Sequence, residues 1–143
     1  MDRNRKHFLA YAKHLAHSDP NGQVCAFCNP EGNVRIKETH AYFYVSYNTF
    51  PYDWWELRAV TEHLLLIPKR HVGTLGTLTD EESTELAKLL GHYEKSGYDI
   101  FARTPTSLTR TVVHQHTHLI RTSGKKARGI FFWPKPYILW LFR

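Results

Sequence analysis

Three histidines stand at alternate positions in His114-Gln115-His116-Thr117-His118, between Val112-Val113 and Leu119-Ile120. On a strand the side chains repeat every second residue, so this spacing predicts all three imidazoles on one face. Aligned imidazoles cost desolvation when buried. Two kinds of chemistry offset that cost: metal ligation, or nucleophilic and acid–base work near neutral pH. A second group is Cys25-Ala26-Phe27-Cys28, which contains the only two cysteines of the chain. The close pair favours reduced thiols, metal-binding or redox-active, over a structural disulfide. A lone C-x-x-C supplies only half of the ligands that a tetrahedral zinc site needs.

The elements that must position these residues are legible in outline. Phe8, Tyr11, Ala12 and Leu15 fall at helical spacing within residues 3–17, and Ser18-Asp19-Pro20-Asn21-Gly22 should stop that amphipathic helix. A turn is expected at Asn29-Pro30-Glu31-Gly32-Asn33, a short strand over 34–37 and an aromatic strand over 41–47. Residues 48–56 contain Pro51 and read as a loop, and 63–67 as a buried strand ended by Pro68. Thr79 with Glu82 three residues on is a capping box, opening a helix through Leu86, Leu89, Leu90 and Tyr93 to near Gly97. Residues 98–103 are a candidate strand, Thr104-Pro105-Thr106-Ser107 breaks the chain, and the histidine strand follows. Clustered strands with two helices indicate an antiparallel α+β domain.

The chain has 143 residues, enough for one domain with its own core. Aromatic content is 14%, which argues for a globular fold. A formal net charge of +6 suits an anionic partner such as a phosphate ester or nucleotide, and equally suits plain solubility. No stacking motif supports a stable nucleic-acid complex. The start shows no signal peptide and no stretch is long and apolar enough to span a membrane, so a cytoplasmic protein is expected. Residues 123–129 read as a basic loop with Lys125, Lys126 and Arg128, more simply solvated than substrate-binding. The apolar tail over 130–142 is expected to pack over the sheet or across a dimer interface.

Upstream of the triad stands His63-Leu64-Leu65-Leu66-Ile67-Pro68-Lys69-Arg70-His71-Val72, then Leu75, Leu78 and Thr79-Asp80-Glu81-Glu82. A histidine-led strand, a Pro-Lys-X-His turn, an acidic helix start and a late H-x-H-x-H, in that order, resemble the histidine-triad (HIT) superfamily of nucleotide hydrolases and transferases. The resemblance covers residues 24–122. It implies a single HIT-like domain: an N-terminal helix and turn over 1–23, a core over 24–122, and a basic loop with aromatic tail over 123–143. It further implies a five-stranded antiparallel sheet with two main helices, and a homodimer with the two sheets joined edge to edge.

The resemblance also distributes roles. His116 would be the nucleophile toward the α-phosphorus of a nucleotide, forming a nucleotidyl-histidine. His118 would touch the phosphate or the bridging leaving atom, and His63 would help hold the phosphate. In the zinc-containing branch, the C-x-x-C pair joins the turn histidine and the first triad histidine, which here means Cys25, Cys28, His71 and His114 around a structural zinc. Asn48 is the candidate for the ribose, with Asp53 the other nearby choice, and Thr111 offers a hydroxyl toward the leaving phosphate. The chain departs from the family pattern in its polar triad spacers Gln115 and Thr117, in Glu62 before His63, in Trp55 where relatives place an Asn or Asp, and in an apparent insertion around Tyr52–Arg58. The expected activity is hydrolysis of a dinucleoside polyphosphate or nucleoside phosphoramidate. A nucleotidyl transferase or phosphorylase, and a non-catalytic nucleotide-binding zinc module, are the alternatives.

Overall fold

The structure, a computed structural model, describes residues 3, 5–17, 25–30, 34–127, 129–134 and 137–142; at 5, at 14–17 and beyond 127 it describes backbone alone. The expected helix stop at 18–22, residues 31–33 of the expected turn, and Arg128 lie outside the described residues.

Helix α1 spans Arg5–His17. Five strands, β1 (Arg35–Thr39), β2 (Phe43–Tyr47), β4 (Arg58–Pro68), β5 (Asp99–Ala102) and β6 (Thr117–Lys126), form an antiparallel sheet in the order β1-β2-β4-β6-β5. The two-residue strand β3 (Trp54–Trp55) pairs with β4. A 3₁₀ turn at Leu75–Thr77 leads into α2 (Asp80–Lys95). Strands β7 (Gly129–Pro134) and β8 (Tyr137–Phe142) form a separate antiparallel pair, with β8 beside α1.

Period-two alternation on β4 divides the sheet into two faces. Leu64 and Leu66 join Phe43, Val45 and Leu119 under Leu86, Leu89 and Tyr93 of α2. Leu65 and Ile67 point the other way, onto Phe27 and Tyr44. The helix face thus holds the larger core cluster, and the opposite face holds a smaller one around Phe27. The capping box of α2 is formed: Thr79 Oγ1 accepts from the Glu82 N–H at 3.2 Å, and Glu82 Oε2 accepts from the Thr79 N–H at 2.9 Å. Arg70 clamps the same buried carboxylate, from Nε at 3.0 Å and Nη2 at 2.7 Å. The turn that carries His71 is thereby tied to the start of α2.

Three expectations are corrected. The loop over 48–56 contains β3, because Glu56 (φ 48°) and Leu57 (φ 64°) make a tight hairpin into β4. Both central residues adopt the left-handed conformation of a type I′ turn, but neither is the Gly, Asn or Asp that usually signals one. The histidine strand begins at Thr117 instead of His114. The Gln115 N–H donates to the Val72 carbonyl at 2.7 Å, so the backbone there is bonded to the turn after β4 and not to a neighbouring strand. The basic loop is largely strand: Ser123 to Lys126 continue β6, Lys126 pairs with Arg58, and Gly129 opens β7.

Candidate active site and metal cluster

The second face of β4 and β6 presents His63 and His118, with Leu65 directly opposite His118. The Tyr52 N–H donates to His63 Nδ1 at 3.1 Å. A neutral imidazole carries one proton, so that of His63 sits on Nε2 and is donated to His118 Nδ1, 2.9 Å away. The Asn48 amide nitrogen lies 3.5 and 3.1 Å from the two ring nitrogens of His63. Such similar distances place it over the ring face and not in line with either nitrogen. His118 in turn holds its proton on Nε2, a buried atom with no partner among the described residues. Its donor is unspent.

The other two histidines are fixed by carbonyls. His116 Nδ1 donates to the His114 carbonyl at 2.9 Å, which leaves Nε2 with a lone pair. His114 Nε2 donates to the Pro68 carbonyl at 2.9 Å, which leaves Nδ1 as the ligating atom. Rings of His116 and His118 are 5.0 Å apart. Phe27 lies edge-on to both His114 and His116, at 5.8 and 5.3 Å. Burial is the chief cause that pushes His63 down to about 3 and His118 down to about 2. It also lowers His114 and His116, against the opposing pull of their carbonyl hydrogen bonds. Near neutral pH the site is therefore a set of neutral imidazoles, as nucleophilic work and metal ligation both require.

A cavity of about 470 Å³ opens over this face. His116, His118, Asn48 and Thr111 line it, whereas His63 does not. His63, at 4% exposure, stands behind His118 and is bonded to its Nδ1. Asn48 Oδ1 is engaged by the Phe50 N–H at 2.9 Å, and Thr111 Oγ1 accepts from the Tyr11 hydroxyl at 3.1 Å. Gln115 and Thr117 are buried, at 3% and 4% exposure, so the polar spacers do not make a wet face. Thr117 sits opposite Leu66, on the α2 side of the sheet. Lys125 and Lys126, exposed near the end of β6, do not line the cavity. Positive charge comes instead from Arg3, Arg103 and Arg110. No motif or spacing marks these three, which stand in irregular segments, Arg3 far in the chain from Arg103 and Arg110.

Beside the triad, one ligand atom each from Cys25, Cys28, His71 and His114 lies within 4.8 Å of the others. The Cys28 sulfur is 3.1 Å from His71 Nδ1, and His114 Nδ1 is 3.4 and 3.5 Å from the two sulfurs. On a tetrahedron with metal–sulfur bonds of about 2.3 Å and metal–nitrogen bonds of about 2.0 Å, sulfur and nitrogen stand roughly 3.5 Å apart. The residues fit a four-coordinate thiolate–imidazole site that leaves no open position.

Among solved structures, the chain is similar to a HIT family hydrolase from Clostridium thermocellum, with 19% identity over 74% of this chain and 96% of that one and a TM-score of 0.55. It is also similar to a HIT family hydrolase from Legionella pneumophila Philadelphia 1, with 24% identity, coverage of 78% and 98%, and a TM-score of 0.53. A Zn-bound histidine triad family protein from Mycobacterium smegmatis matches at 22% identity, with coverage of 73% and 80% and a TM-score of 0.55. No protein-family model matches the chain, and no curated protein does. At these identities the likeness is one of fold, and the chain has the histidine-triad fold. No helix among the described residues is long and apolar enough to cross a membrane.

Proposed function

We propose that this protein is a HIT-superfamily nucleotide hydrolase, which cleaves at the α-phosphorus through a nucleotidyl-histidine at His116. The observation that carries this reading is the bond from His116 Nδ1 to the His114 carbonyl, which holds Nε2 as a lone pair beside the cavity. His116 Nε2 attacks phosphorus, and the bond to the bridging atom breaks with its electron pair leaving on the departing group. The His118 Nε2 proton is a ready donor to the oxygens that gain charge. Water then attacks phosphorus, the P–N electron pair returns to Nε2, and one water proton passes to solvent. Asn48 and Thr111 are the proposed contacts to the ribose and phosphate.

Cys25, Cys28, His71 and His114 are the proposed zinc ligands. Zinc there supplies structure: it keeps two sulfurs as thiolates and fixes the residue whose carbonyl orients His116. A homodimer joined through sheet edges is the proposed assembly, read by sedimentation.

The test is release of nucleoside monophosphate from a panel of adenosine and guanosine phosphoramidates and dinucleoside polyphosphates, with and without inorganic phosphate. Wild type turns over at least one compound, and His116→Ala turns over none. A phosphorus-labelled protein adduct, acid-labile as a P–N bond, accumulates on rapid quench. No release across the panel, with nucleotide still bound, points to a binding module and sinks the hydrolase reading.

A further inference from the structure

Three guanidinium groups and no carboxylate stand among the described residues lining the cavity. Arg3 stands before α1, and Arg103 and Arg110 both stand in the connection between β5 and β6. Arg110 is engaged with backbone: its Nε donates to the Val112 carbonyl at 3.1 Å, and its Nη2 to those of Gly73, at 2.8 Å, and Val113. It braces the loop against the His71 turn. Arg3 and Arg103 meet at one side chain while holding other bonds: Arg3 donates from Nε and Nη2 to the Phe50 carbonyl at 3.2 and 3.0 Å, and Arg103 from Nη1 to Thr109 Oγ1. The Arg3 guanidinium lies 4.7 Å from the centre of the Tyr52 ring, and Arg103 Nη2 donates to the Tyr52 hydroxyl at 3.2 Å. That ring is stacked on His118 with centres 6.0 Å apart and planes at 27°. Two cations, distant from each other in the sequence, thus gather next to the imidazole whose donor is unspent.

We infer that Arg3 and Arg103 bind the phosphates of the departing group, so that the substrate carries a further phosphate chain on its α-phosphorus and is not a phosphoramidate. This rests on the hydrolase reading above. When His116 Nε2 bonds to the α-phosphorus, the bridging P–O bond breaks and its electron pair leaves with the chain. A phosphate chain departs as an anion, and paired guanidinium groups stabilise that developing charge. An amine needs a proton as it departs. The neighbouring His63–His118 pair is held neutral well below the usual histidine range, chiefly by burial, so it has no extra proton to give. The same two arginines are among the causes: Arg3 bears on both imidazoles and Arg103 on His118. Cations close enough to repel a proton are close enough to attract a phosphate oxygen.

The experiment measures kcat/KM for diadenosine tetraphosphate and for adenosine 5′-phosphoramidate, and the affinity of inorganic tripolyphosphate by calorimetry, in wild type, R103Q, R103K and R3Q. The expected wild type prefers the polyphosphate by about tenfold or more, the worth of one charge-assisted hydrogen bond. R103Q lowers that preference and weakens tripolyphosphate about tenfold, and R103K recovers part of both. R3Q acts in the same direction and stands in if R103Q does not fold. Preference for the phosphoramidate, or preference and tripolyphosphate affinity that stay within about twofold in the arginine variants, overturns the inference. Turnover of neither compound sinks the hydrolase reading instead. Tripolyphosphate affinity, weakened in R103Q or unmoved, then still decides whether the arginines bind a phosphate chain.

Discussion

Replacing His63 by Ala breaks the proton chain from the Tyr52 amide to His118. Two buried groups lose their partner at once, the Tyr52 N–H and His118 Nδ1. An unsatisfied buried polar group costs about 1–3 kcal/mol. Water that enters the space left by the ring offsets part of that, so the net loss is about 3 kcal/mol, smaller than the roughly 5–15 kcal/mol of a typical domain. The variant therefore folds and can be assayed. Nitrogen-15 NMR of the imidazoles near neutral pH reads the consequence directly. In wild type, His63 and His118 are both protonated on Nε2, and His116 is the opposite tautomer, protonated on Nδ1. In H63A, the His118 signals move toward an average of the two tautomers. The kcat of the proposed nucleotide hydrolysis falls by about a hundredfold, the low end of what losing one preorganised hydrogen-bond donor costs. A wild-type His118 protonated on Nδ1 refutes the chain, and so does an H63A protein as stable as wild type with unmoved His118 signals.

Denaturation against pH tests the same pair through its sign. Both imidazoles are depressed in the fold, while the unfolded chain titrates near 6.5, so below that pH the unfolded state binds more protons. Stability is complete above about 6.5 and falls with pH by about 1.4 kcal/mol per unit for each histidine; the slope in H63A is shallower by one proton, and equal slopes contradict the assignment. The hairpin between β3 and β4 carries strain at Glu56 and Leu57, so E56N with L57G stabilises by about 1 kcal/mol and raises Tm by roughly 3 °C; an unchanged or lower Tm shows that these side chains contribute more than the turn costs. Glu82→Ala loses both the cap and the Arg70 clamp, whereas Glu82→Gln keeps the cap geometry, so urea midpoints should order wild type, E82Q, E82A. Elemental analysis should find zinc near one equivalent, and a strong chelator should lower Tm in wild type but not in C28S; a metal-free wild type of equal Tm removes the structural role.

Residues that act through sequence-local geometry were legible before the structure. Thr79 and Glu82 form their box because the cap depends on a three-residue spacing alone, and the apolar run of 63–67 ended by Pro68 reads as a buried strand. His114, His116 and His118 share a neighbourhood as their alternation implies, although the ladder begins only at Thr117. What was hidden depends on contacts distant in the chain. Nothing local says that Val72 takes the Gln115 amide and so delays the strand, or that His63 lies behind His118 instead of beside the cavity. The turn at Glu56-Leu57 hid because its conformation is imposed by pairing, against the preference of both residues. Arg3 and Arg103 hid because a cation shows its purpose only where the chain folds it against Tyr52.

The ladder between β4 and β6 has a consequence in time. His63 and His118 are 55 residues apart in the chain, and Cys25 and His114 are 89 apart. Contacts of such long range are late and slow, because chain closure must precede any reward for making them. A nascent polypeptide can have finished α2 and still lack every histidine of the triad. The reactivity toward phosphorus proposed above therefore depends on this long-range closure, because His116 and His118 follow α2 in the chain.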